Sequence, residues 1–260
     1  MEVPATGVAG ILSKNKMFIN NLSISISESN FEEIYIASRQ SESRVYSDEQ
    51  VAQLPFVDLN HIHSDEWQSR KRSSDRLKNY LENKNNPLSI LEIGCGNGWL
   101  SARLAAIKNS TVTGIDINRT ELNQARRVFS MVDNIYFKEG GLKDIAADKK
   151  FDVIVFAASI QYFPSFERII RDSLSFLNNK GEIHILDSHF YYPKELESAK
   201  QRSLAYYYST GFEEMAAFYF HHSYDSLRNF KYKIIFNPYC LKSKMFRKND
   251  PFPWICIKAS

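Results

Sequence analysis

The chain has 260 residues, of which 43% are hydrophobic and 24% are charged, and this is enough for one large domain or two small ones with a buried core. Its formal charge of +3 is too small and too interspersed to indicate a nucleic-acid or anionic-membrane partner. No window approaches the ~18 apolar residues that a membrane-spanning helix needs, so a membrane protein is excluded.

Residues 1–60 differ from the rest of the chain, because they are polar, Ser-rich and contain only short patterned pieces. In residues 22–26 apolar side chains alternate with serines, which predicts a half-buried strand, and residues 34–36 (IYI) suggest a second strand. Ser47 is predicted to cap a short helix that ends at Pro55. We therefore treat residues 1–60 as an N-terminal extension that packs on the core.

A longer helix is predicted over residues 65–83. Arg70 shares one face of it with Trp67, Leu77 and Leu81. An arginine in this position can lie along the apolar face and send its guanidinium to water, or it can form a two-pronged pair with a carboxylate. The sequence leaves both interpretations open.

From Leu88 onward short apolar runs alternate with amphipathic ones, which indicates an α/β fold with a doubly wound parallel sheet. Five strands are predicted, at residues 89–93, 111–117, 135–138, 152–157 and 181–186. Two later runs, residues 231–236 and 254–258, leave no room for a crossover helix and are expected to pair antiparallel. Between them and the fifth strand, residues 190–230 are dense in Tyr and Phe, which predicts a helical lid.

A glycine-rich segment, residues 91–98 (LEIGCGNG), follows the first strand and opens a helix. Its glycines let the backbone turn tightly and approach a ligand, and the helix start offers unpaired N–H groups. Asp116 ends the next strand, 22 positions after Gly94, where a carboxylate can accept both hydroxyls of a ribose. The last glycine of a dinucleotide fingerprint would fall at Trp99, so a dinucleotide-dependent Rossmann enzyme is the weaker alternative.

Three segments carry a family resemblance, residues 92–98 (EIGCGNG), 112–118 (VTGIDIN) and 151–155 (FDVIV). In order and spacing they resemble the successive motifs of class I S-adenosylmethionine-dependent methyltransferases, over residues 83–186. Residues 159–164 (SIQYFP) are similar to the loop after the fourth strand in many small-molecule and peptide-amine methyltransferases. The resemblance implies a seven-stranded, mostly parallel sheet with an antiparallel last strand, in a methyltransferase domain of residues 61–260 with its lid at about 190–230.

The resemblance further implies S-adenosylmethionine as the cofactor. The glycine loop would surround its methionine end, Asp116 would hold the ribose and Ile117 would lie against the adenine. Arg70 would reach the methionine carboxylate. The expected cofactor contacts are Arg70, Glu92, Gly94, Cys95, Gly96, Gly98, Asp116, Ile117, Leu142, Ala157 and Ala158.

One family feature is missing from the turn after the third strand. The family usually has an acidic residue there, in a pattern like Gly-Asp-Ala, that binds the adenine amino group. This chain has residues 140–142 (GGL) instead. Either Lys143 and Asp144 substitute for the acid, or the backbone around Leu142 reads the base.

The implied reaction is in-line displacement of the sulfonium methyl by an oxygen, nitrogen or carbon of a small-molecule acceptor. Positioning alone can contribute ~7 kcal/mol or more to such a transfer, so a general base is optional. If the nucleophile is a hydroxyl, His189 or His222 is the candidate base. The acceptor is expected to contact Gln161, Tyr162, Tyr207 and Tyr219, and a homodimer is one assembly that the sequence allows.

Two other functions are compatible with parts of the sequence, a non-catalytic cofactor-binding protein and a nucleic-acid methyltransferase. A non-catalytic cofactor-binding protein is an alternative because Gly141 replaces the usual acid. A nucleic-acid methyltransferase is disfavoured, since residues 157–160 (AASI) stand where an Asn/Asp-Pro-Pro-aromatic tetrad is expected. No metal site is expected, because adjacent histidines such as His221 and His222 point about 100° apart on a helix. Three scattered cysteines and the absence of a secretory pattern at the start predict a cytoplasmic protein.

Overall fold

The computed structural model describes residues 28–240 and 250–259. The strands are β1 (Leu88–Ile93), β2 (Ser110–Asp116), β3 (Ile135–Glu139), β4 (Phe151–Ala157), β5 (Leu177–Leu186), β6 (Phe190–Tyr191), β7 (His222–Ser223), β8 (Tyr232–Phe236) and β9 (Trp254–Lys258). The α-helices are α1 (Glu28–Ser41), α2 (Asp48–Gln53), α3 (Ser64–Glu82), α4 (Trp99–Ala105), α5 (Arg119–Val128), α6 (Phe166–Ser175) and α7 (Leu196–Thr210). Short 3₁₀ segments include Leu142–Asp144, Ile160–Tyr162 and Glu213–Phe218.

Seven strands form one sheet in the order β3-β2-β1-β4-β5-β9-β8. Strands β1 to β5 are parallel to one another, and β9 runs antiparallel to both β5 and β8. The predicted fold class is therefore confirmed, including the antiparallel last strand. The chain order reverses between β1 and β4, and in open α/β sheets this is where the carboxyl ends of the strands leave a ligand-binding crevice.

Both faces of the sheet are covered by apolar clusters. In β1, Ile90 belongs to one cluster together with Trp67 and Leu100, while the next residue, Leu91, belongs to the other together with Phe166. Neighbouring strand residues point to opposite faces, so a strand buried on both sides reads as a continuous apolar run. This is why the central strands could be located from the sequence.

The N-terminal extension is helical where the structure describes it. The strand predicted at residues 34–36 is wrong, because these residues lie in α1. The helix packs through Phe31 and Tyr35, which are one turn apart, and this tertiary contact overrides the β-favouring local triplet. The strand predicted at residues 22–26 lies outside the described residues.

The start of α2 follows the sequence prediction. The Ser47 side chain accepts a hydrogen bond from the Gln50 backbone N–H (3.3 Å), and the Gln50 side chain accepts one from the Ser47 N–H (2.8 Å). This reciprocal capping box satisfies two backbone donors at the helix start.

The aromatic segment after β5 is mainly helical, as α7 and the 3₁₀ segment Glu213–Phe218. It also contains a two-stranded parallel pair, β6 with β7, that the sequence did not predict. The backbone N–H of Phe220 donates to the Gln161 carbonyl (2.7 Å) and so ties this segment to the loop after β4. No helix among the described residues is long and apolar enough to cross a membrane.

Candidate functional site

A cleft opens at the carboxyl ends of β1, β2 and β4 and consists of two adjoining pockets. The first, which we call the polar pocket, is lined by charged side chains that include Arg39, Arg44, Glu66, Arg70, Glu92 and Glu121. The second, the apolar pocket, has a volume of about 290 Å³, and its lining includes Phe31, Asp116, Ile117, Tyr162, Phe163 and Phe218. The two pockets share Tyr35, Gly94, Gly96, Glu121 and Ala158. Together they form one continuous cleft with a charged end and an aromatic end.

The turn after β1 brings its backbone to the floor of the cleft. Gly94 and Gly96 have φ values of +74° and +51°, which side chains other than glycine rarely tolerate. A Cβ on Gly94 would lie 2.5 Å from the Cβ of Ser159, whose hydroxyl donates to the Ile93 carbonyl (2.6 Å). Glycine is required at position 94 because the loops after β1 and β4 touch there.

Asp116 shapes this turn as well as lining the apolar pocket. Its Oδ2 accepts a hydrogen bond from the Gly96 N–H (2.7 Å), and its Oδ1 accepts one from the Asn118 N–H (2.8 Å). Burial raises the pKa of the carboxyl, while these backbone hydrogen bonds oppose the shift. Because each carboxylate oxygen can accept more than one hydrogen bond, Asp116 can still bind ligand hydroxyls.

Two of the predicted cofactor contacts lie outside the lining of both pockets. Gly98 (φ +77°) packs inward, and a Cβ there would lie 2.6 Å from the Phe137 ring and 2.9 Å from the Ala125 Cβ. Leu142 is buried in the apolar core. The other predicted contacts do line the cleft, namely Arg70, Glu92, Gly94, Cys95, Gly96, Asp116, Ile117, Ala157 and Ala158.

Buried carboxyl groups give the polar pocket an unusual acid–base character. Burial raises the pKa of Glu92 to about 8, against the effect of a hydrogen bond from the Ser101 hydroxyl (2.5 Å). Burial and the nearby Asp116 raise the pKa of Glu121 to about 7, against the effect of Arg39 and Arg70. Both carboxyl groups therefore hold a proton more readily than an exposed glutamate does.

Three arginines line the polar pocket and pair with Glu66, which also lines it, and with Glu42, which lies beside it. Arg70 pairs with Glu66 (2.8 Å), and Arg44 pairs with both Glu66 and Glu42, the latter at 2.9 Å. Arg39 contacts the Tyr35 hydroxyl (3.2 Å) and, more distantly, Glu42 (3.4 Å). All three guanidinium groups line the polar pocket, and a guanidinium can form a two-pronged pair with an anionic group of a ligand.

The N-terminal extension supplies part of this site, which the sequence did not predict. Helix α1 places the Phe31 and Tyr35 rings 5.9 and 5.8 Å from the Tyr162 ring, and Phe31 also packs on Phe218 (5.0 Å). Glu32 accepts hydrogen bonds from the backbone N–H and the hydroxyl of Thr120 (2.8 and 2.9 Å). The helical spacing of residues 31, 35 and 39 is the signal that could have assigned them to one face of a helix.

Among the predicted acceptor contacts, Tyr162 alone lines the apolar pocket. Gln161 is engaged elsewhere, because its amide donates to the Ala158 carbonyl (2.6 Å) and accepts from the Ser188 hydroxyl (2.9 Å). The Tyr219 ring packs on Tyr162 (6.0 Å), and Tyr207 packs on Tyr219 (6.1 Å). These two tyrosines support the cleft from behind and line neither pocket.

The two candidate bases lie away from the cleft. The His222 Nε2 is 3.0 Å from the Ile160 carbonyl, and its ring lies beside Phe166 (5.5 Å). His189 packs against Phe252 (4.6 Å). Burial lowers the pKa of both imidazoles, and neither lines either pocket. The structure therefore does not bring them to a position where a ligand in the cleft could give them a proton.

At the turn after β3, Asp144 does not lie where it could replace the missing acid, which was one of the two alternatives left open by the sequence. The Asp144 carboxylate accepts a hydrogen bond from the Gly141 N–H (2.9 Å) and does not line the apolar pocket. Gly140 and Gly141 line it instead. A Cβ on Gly141 would meet no atom within 4 Å, so the turn leaves open space towards the cleft.

A separate group of buried side chains, Glu182, His184 and Cys256, could offer three metal ligands within 4.8 Å of one another. The Trp254 indole N–H donates to His184 Nδ1 (3.1 Å), so the imidazole proton is on Nε2, which faces Glu182 (3.4 Å). A metal on Nε2 would leave both ring nitrogens without a proton. Lys84 also pairs with Glu182 (2.8 Å), and the Tyr80 hydroxyl donates to the same carboxylate (3.0 Å), so Glu182 is already occupied by protein partners.

Comparison with known proteins identifies relatives that share this domain. A family model described as a methyltransferase domain matches residues 84–232. A malonyl-[acyl-carrier protein] O-methyltransferase of Halalkalibacterium halodurans is 25% identical over 147 residues, which cover 53% of this chain and 54% of that protein. A 27-O-demethylrifamycin SV methyltransferase of Amycolatopsis mediterranei is 29% identical over 124 residues, covering 45% of this chain and 44% of that protein. The chain thus spans about half the length of the curated relatives it matches.

A solved structure shares the fold over most of its length. The magnesium protoporphyrin IX methyltransferase of Synechocystis aligns with a TM-score of 0.56 at 16% identity, covering 86% of this chain and 95% of that one. The family model covers more than half of the chain. The chain therefore belongs to the methyltransferase-domain family, and its sheet is that of the class I, S-adenosylmethionine-dependent methyltransferases.

Proposed function

We propose that the protein binds S-adenosylmethionine in the cleft and transfers its methyl group to an oxygen, nitrogen or carbon of a small-molecule acceptor. The observation that carries this proposal is the junction of a charged pocket and an apolar pocket over Gly94 and Gly96. An amino-acid end and a nucleoside end of one ligand fit such a pair of pockets. The activity also agrees with the methyltransferase names of the relatives.

The residues present fit the two ends of this cofactor. In the polar pocket, the arginine side chains suit the methionine carboxylate, with Arg70 as the predicted contact. In the apolar pocket, Asp116 can accept hydrogen bonds from the ribose hydroxyls, and Ile117 offers an apolar surface to the adenine. Gly94 and Gly96 line both pockets without a side chain, so the ligand meets backbone there.

S-adenosylmethionine supplies an electrophilic methyl group on a positively charged sulfur. The chain's own contribution is to hold the reacting groups in place and to exclude water, since Phe31, Tyr35 and Tyr162 cover the apolar pocket. The small side chains of Ala157 and Ala158, at the end of β4, leave room for an acceptor.

The acceptor favoured by the cleft is one that needs no general base. No histidine lines either pocket in the part of the chain that the structure describes, and the proton acceptors that do line the cleft are buried carboxyl groups such as Glu92 and Glu121. An oxygen that is already ionised, such as a carboxylate, needs no proton acceptor, and one relative is named an O-methyltransferase of malonyl-[acyl-carrier protein]. An acidic oxygen nucleophile is therefore the simplest acceptor, whereas a hydroxyl or a protonated amine would have to give its proton to one of these carboxyl groups.

The proposal is tested first by calorimetry with S-adenosylmethionine, S-adenosylhomocysteine and NAD. We expect the first two to bind and NAD not to bind. Acceptors are then sought by mass spectrometry, as a gain of one methyl group in panels of carboxylic acids, phenols and amines. Binding without turnover of any acceptor would favour the non-catalytic alternative, and binding of NAD alone would overturn the proposal. A homodimer and a cytoplasmic location stay predictions, to be checked by sedimentation and fractionation.

The open space at Gly141 leads to a prediction about adenine binding. Gly141→Asp should tighten S-adenosylhomocysteine binding about tenfold, because a carboxylate there can accept a hydrogen bond from the adenine amino group. The backbone at this position is extended (φ −115°), which an aspartate adopts without strain. Calorimetry of Gly141→Ala provides the control, with an affinity close to that of the wild type. Equal affinities for all three proteins would show that the adenine does not reach this turn.

A further inference from the structure

One carboxyl group of the cleft has no role in the function proposed above. Five residues line both pockets, and Glu121 is the one among them that carries a carboxyl group. It lies in the first turn of α5, where its backbone N–H donates to the Asn118 side chain that caps the helix (3.0 Å). The position of Glu121 is therefore set by the same short segment that holds Asp116.

The Glu121 side chain is directed towards the glycine turn. Its Oε2 lies 3.1 Å from the point that a Cβ on Gly96 would occupy. Among residues 28–240 and 250–259, no side chain forms a hydrogen bond with the Glu121 carboxyl. A carboxylate that faces a ligand cleft and accepts no hydrogen bond from another side chain of the described protein can bind a positively charged group of a ligand.

The chemistry of the cofactor determines which of its groups lies at this junction. The sulfur of S-adenosylmethionine joins the methionine half to the adenosine half. If the polar pocket holds the methionine half and the apolar pocket holds the adenosine half, the sulfur lies where the two pockets meet. That is the place lined by Glu121, Gly94, Gly96 and Ala158.

We infer that the Glu121 carboxylate is the counter-charge of the sulfonium and makes the protein prefer S-adenosylmethionine to S-adenosylhomocysteine. This inference rests on the proposed function. Both compounds carry the same amino and carboxylate groups, and they differ in charge at the sulfur alone. A carboxylate beside the sulfur therefore attracts the positive sulfonium of S-adenosylmethionine. The neutral thioether of S-adenosylhomocysteine offers it no charge to attract.

Glu121 is not expected to accelerate the methyl transfer itself. The positive charge leaves the sulfur as the methyl group is transferred, so a carboxylate there stabilises the bound reactant more than the transition state. Glu121 is therefore a specificity residue that favours replacement of spent product by fresh cofactor, and it does not accelerate the chemical step.

Calorimetry at pH 8 with three ligands tests this inference. The ligands are S-adenosylmethionine, S-adenosylhomocysteine and sinefungin, which carries an ammonium group in place of the sulfonium. Glu121→Gln should weaken S-adenosylmethionine and sinefungin about tenfold, a modest effect for one charge pair in a partly buried cleft, and leave S-adenosylhomocysteine within about twofold. Glu139→Gln is the matched control, since Glu139 pairs with Arg119 at the exposed end of β3 and lines neither pocket.

The pH dependence of binding gives a second measurement. Glu121 ionises near neutral pH, so the affinity of the wild type for S-adenosylmethionine should rise between pH 6 and pH 8 as the carboxyl loses its proton. This rise should be smaller in Glu121→Gln. The variant is the necessary reference, because Glu92 also ionises in this range. The groups that face Glu121 are Asp116, Glu32, Arg39, Arg70, Tyr35, Tyr162 and Cys95.

The outcomes separate this inference from the proposed function. If Glu121→Gln weakens all three ligands equally, the carboxylate binds a group that they share, and the inference is overturned. Unchanged affinities in a folded variant, verified by its melting temperature, would overturn it as well. If the wild type binds none of the three ligands, the proposed function itself fails and this inference fails with it.

Discussion

Replacing Asp116 with alanine is expected to weaken the binding of S-adenosylmethionine and S-adenosylhomocysteine about 10- to 100-fold, since a hydrogen bond to a charged group contributes ~1.5 to 3 kcal/mol. The carboxylate lines the apolar pocket and can accept hydrogen bonds from the ribose hydroxyls. The Asp116 carboxylate also orients the glycine turn, because it accepts hydrogen bonds from the Gly96 and Asn118 backbone N–H groups, and the variant loses these two contacts. Calorimetry with both ligands measures the effect.

A second aspartate provides the control for the lost backbone contacts. At the opposite end of the sheet, Asp152 accepts hydrogen bonds from the Ser89 N–H (2.8 Å) and the Asn178 side chain (2.8 Å). Asp152→Ala should lower the free energy of unfolding by an amount similar to Asp116→Ala while leaving both affinities unchanged. If Asp116→Ala binds as tightly as Asp152→Ala, Asp116 does not contact the cofactor.

Gly98→Ala should lower the free energy of unfolding by about 3 kcal/mol, because two costs combine at this position. The φ value of +77° strains any residue with a Cβ, and the new methyl group would lie 2.6 Å from the Phe137 ring and 2.9 Å from the Ala125 Cβ. Helix α4 would have to move away from α5 and β3 to relieve these contacts. Urea unfolding of the purified protein measures the loss.

Gly211→Ala separates the two costs. Gly211 ends α7 at a nearly identical φ of +79°, but a Cβ there would meet no atom within 4 Å. It should therefore lose only the backbone contribution, about 1 kcal/mol. Equal losses for the two variants would mean that the packing around Gly98 relaxes at no cost. Because Gly98 lies outside the lining of both pockets, the folded fraction of Gly98→Ala should still bind S-adenosylhomocysteine.

The closure of the cleft depends on contacts between distant parts of the chain. Tyr206, in α7, donates a hydrogen bond to Glu42, just after α1 (2.5 Å), and Glu42 in turn pairs with Arg44. At the other end of α1, Glu32 holds the start of α5 through Thr120. The extension is thus fastened to both the lid and the sheet domain, directly over the pockets that the proposed cofactor would fill.

The sequence by itself determined the central architecture of this protein. Strands β1 to β5 are apolar runs of strand length, because a parallel sheet buries both of its faces, and such runs can be recognised locally. The turn at Gly94 and Gly96 was also evident, because its backbone conformation demands glycine at closely spaced positions. Asp116 followed from these two features, since it ends the neighbouring strand at the same edge of the sheet.

The walls of the site were decided by the tertiary structure alone. Arg39 and Glu121 line the same pocket although they are far apart in the chain, and the local sequence pattern does not predict which distant helix a side chain will face. For the same reason the sequence could not exclude His189 and His222 as general bases. They follow the fifth strand and the lid helix, but their rings pack against Phe252 and Phe166 and do not face the cleft. Residues 34–36 favour a strand locally, yet they became helical because α1 buries Phe31 and Tyr35 against Tyr162, and packing outweighs intrinsic preference when the two differ.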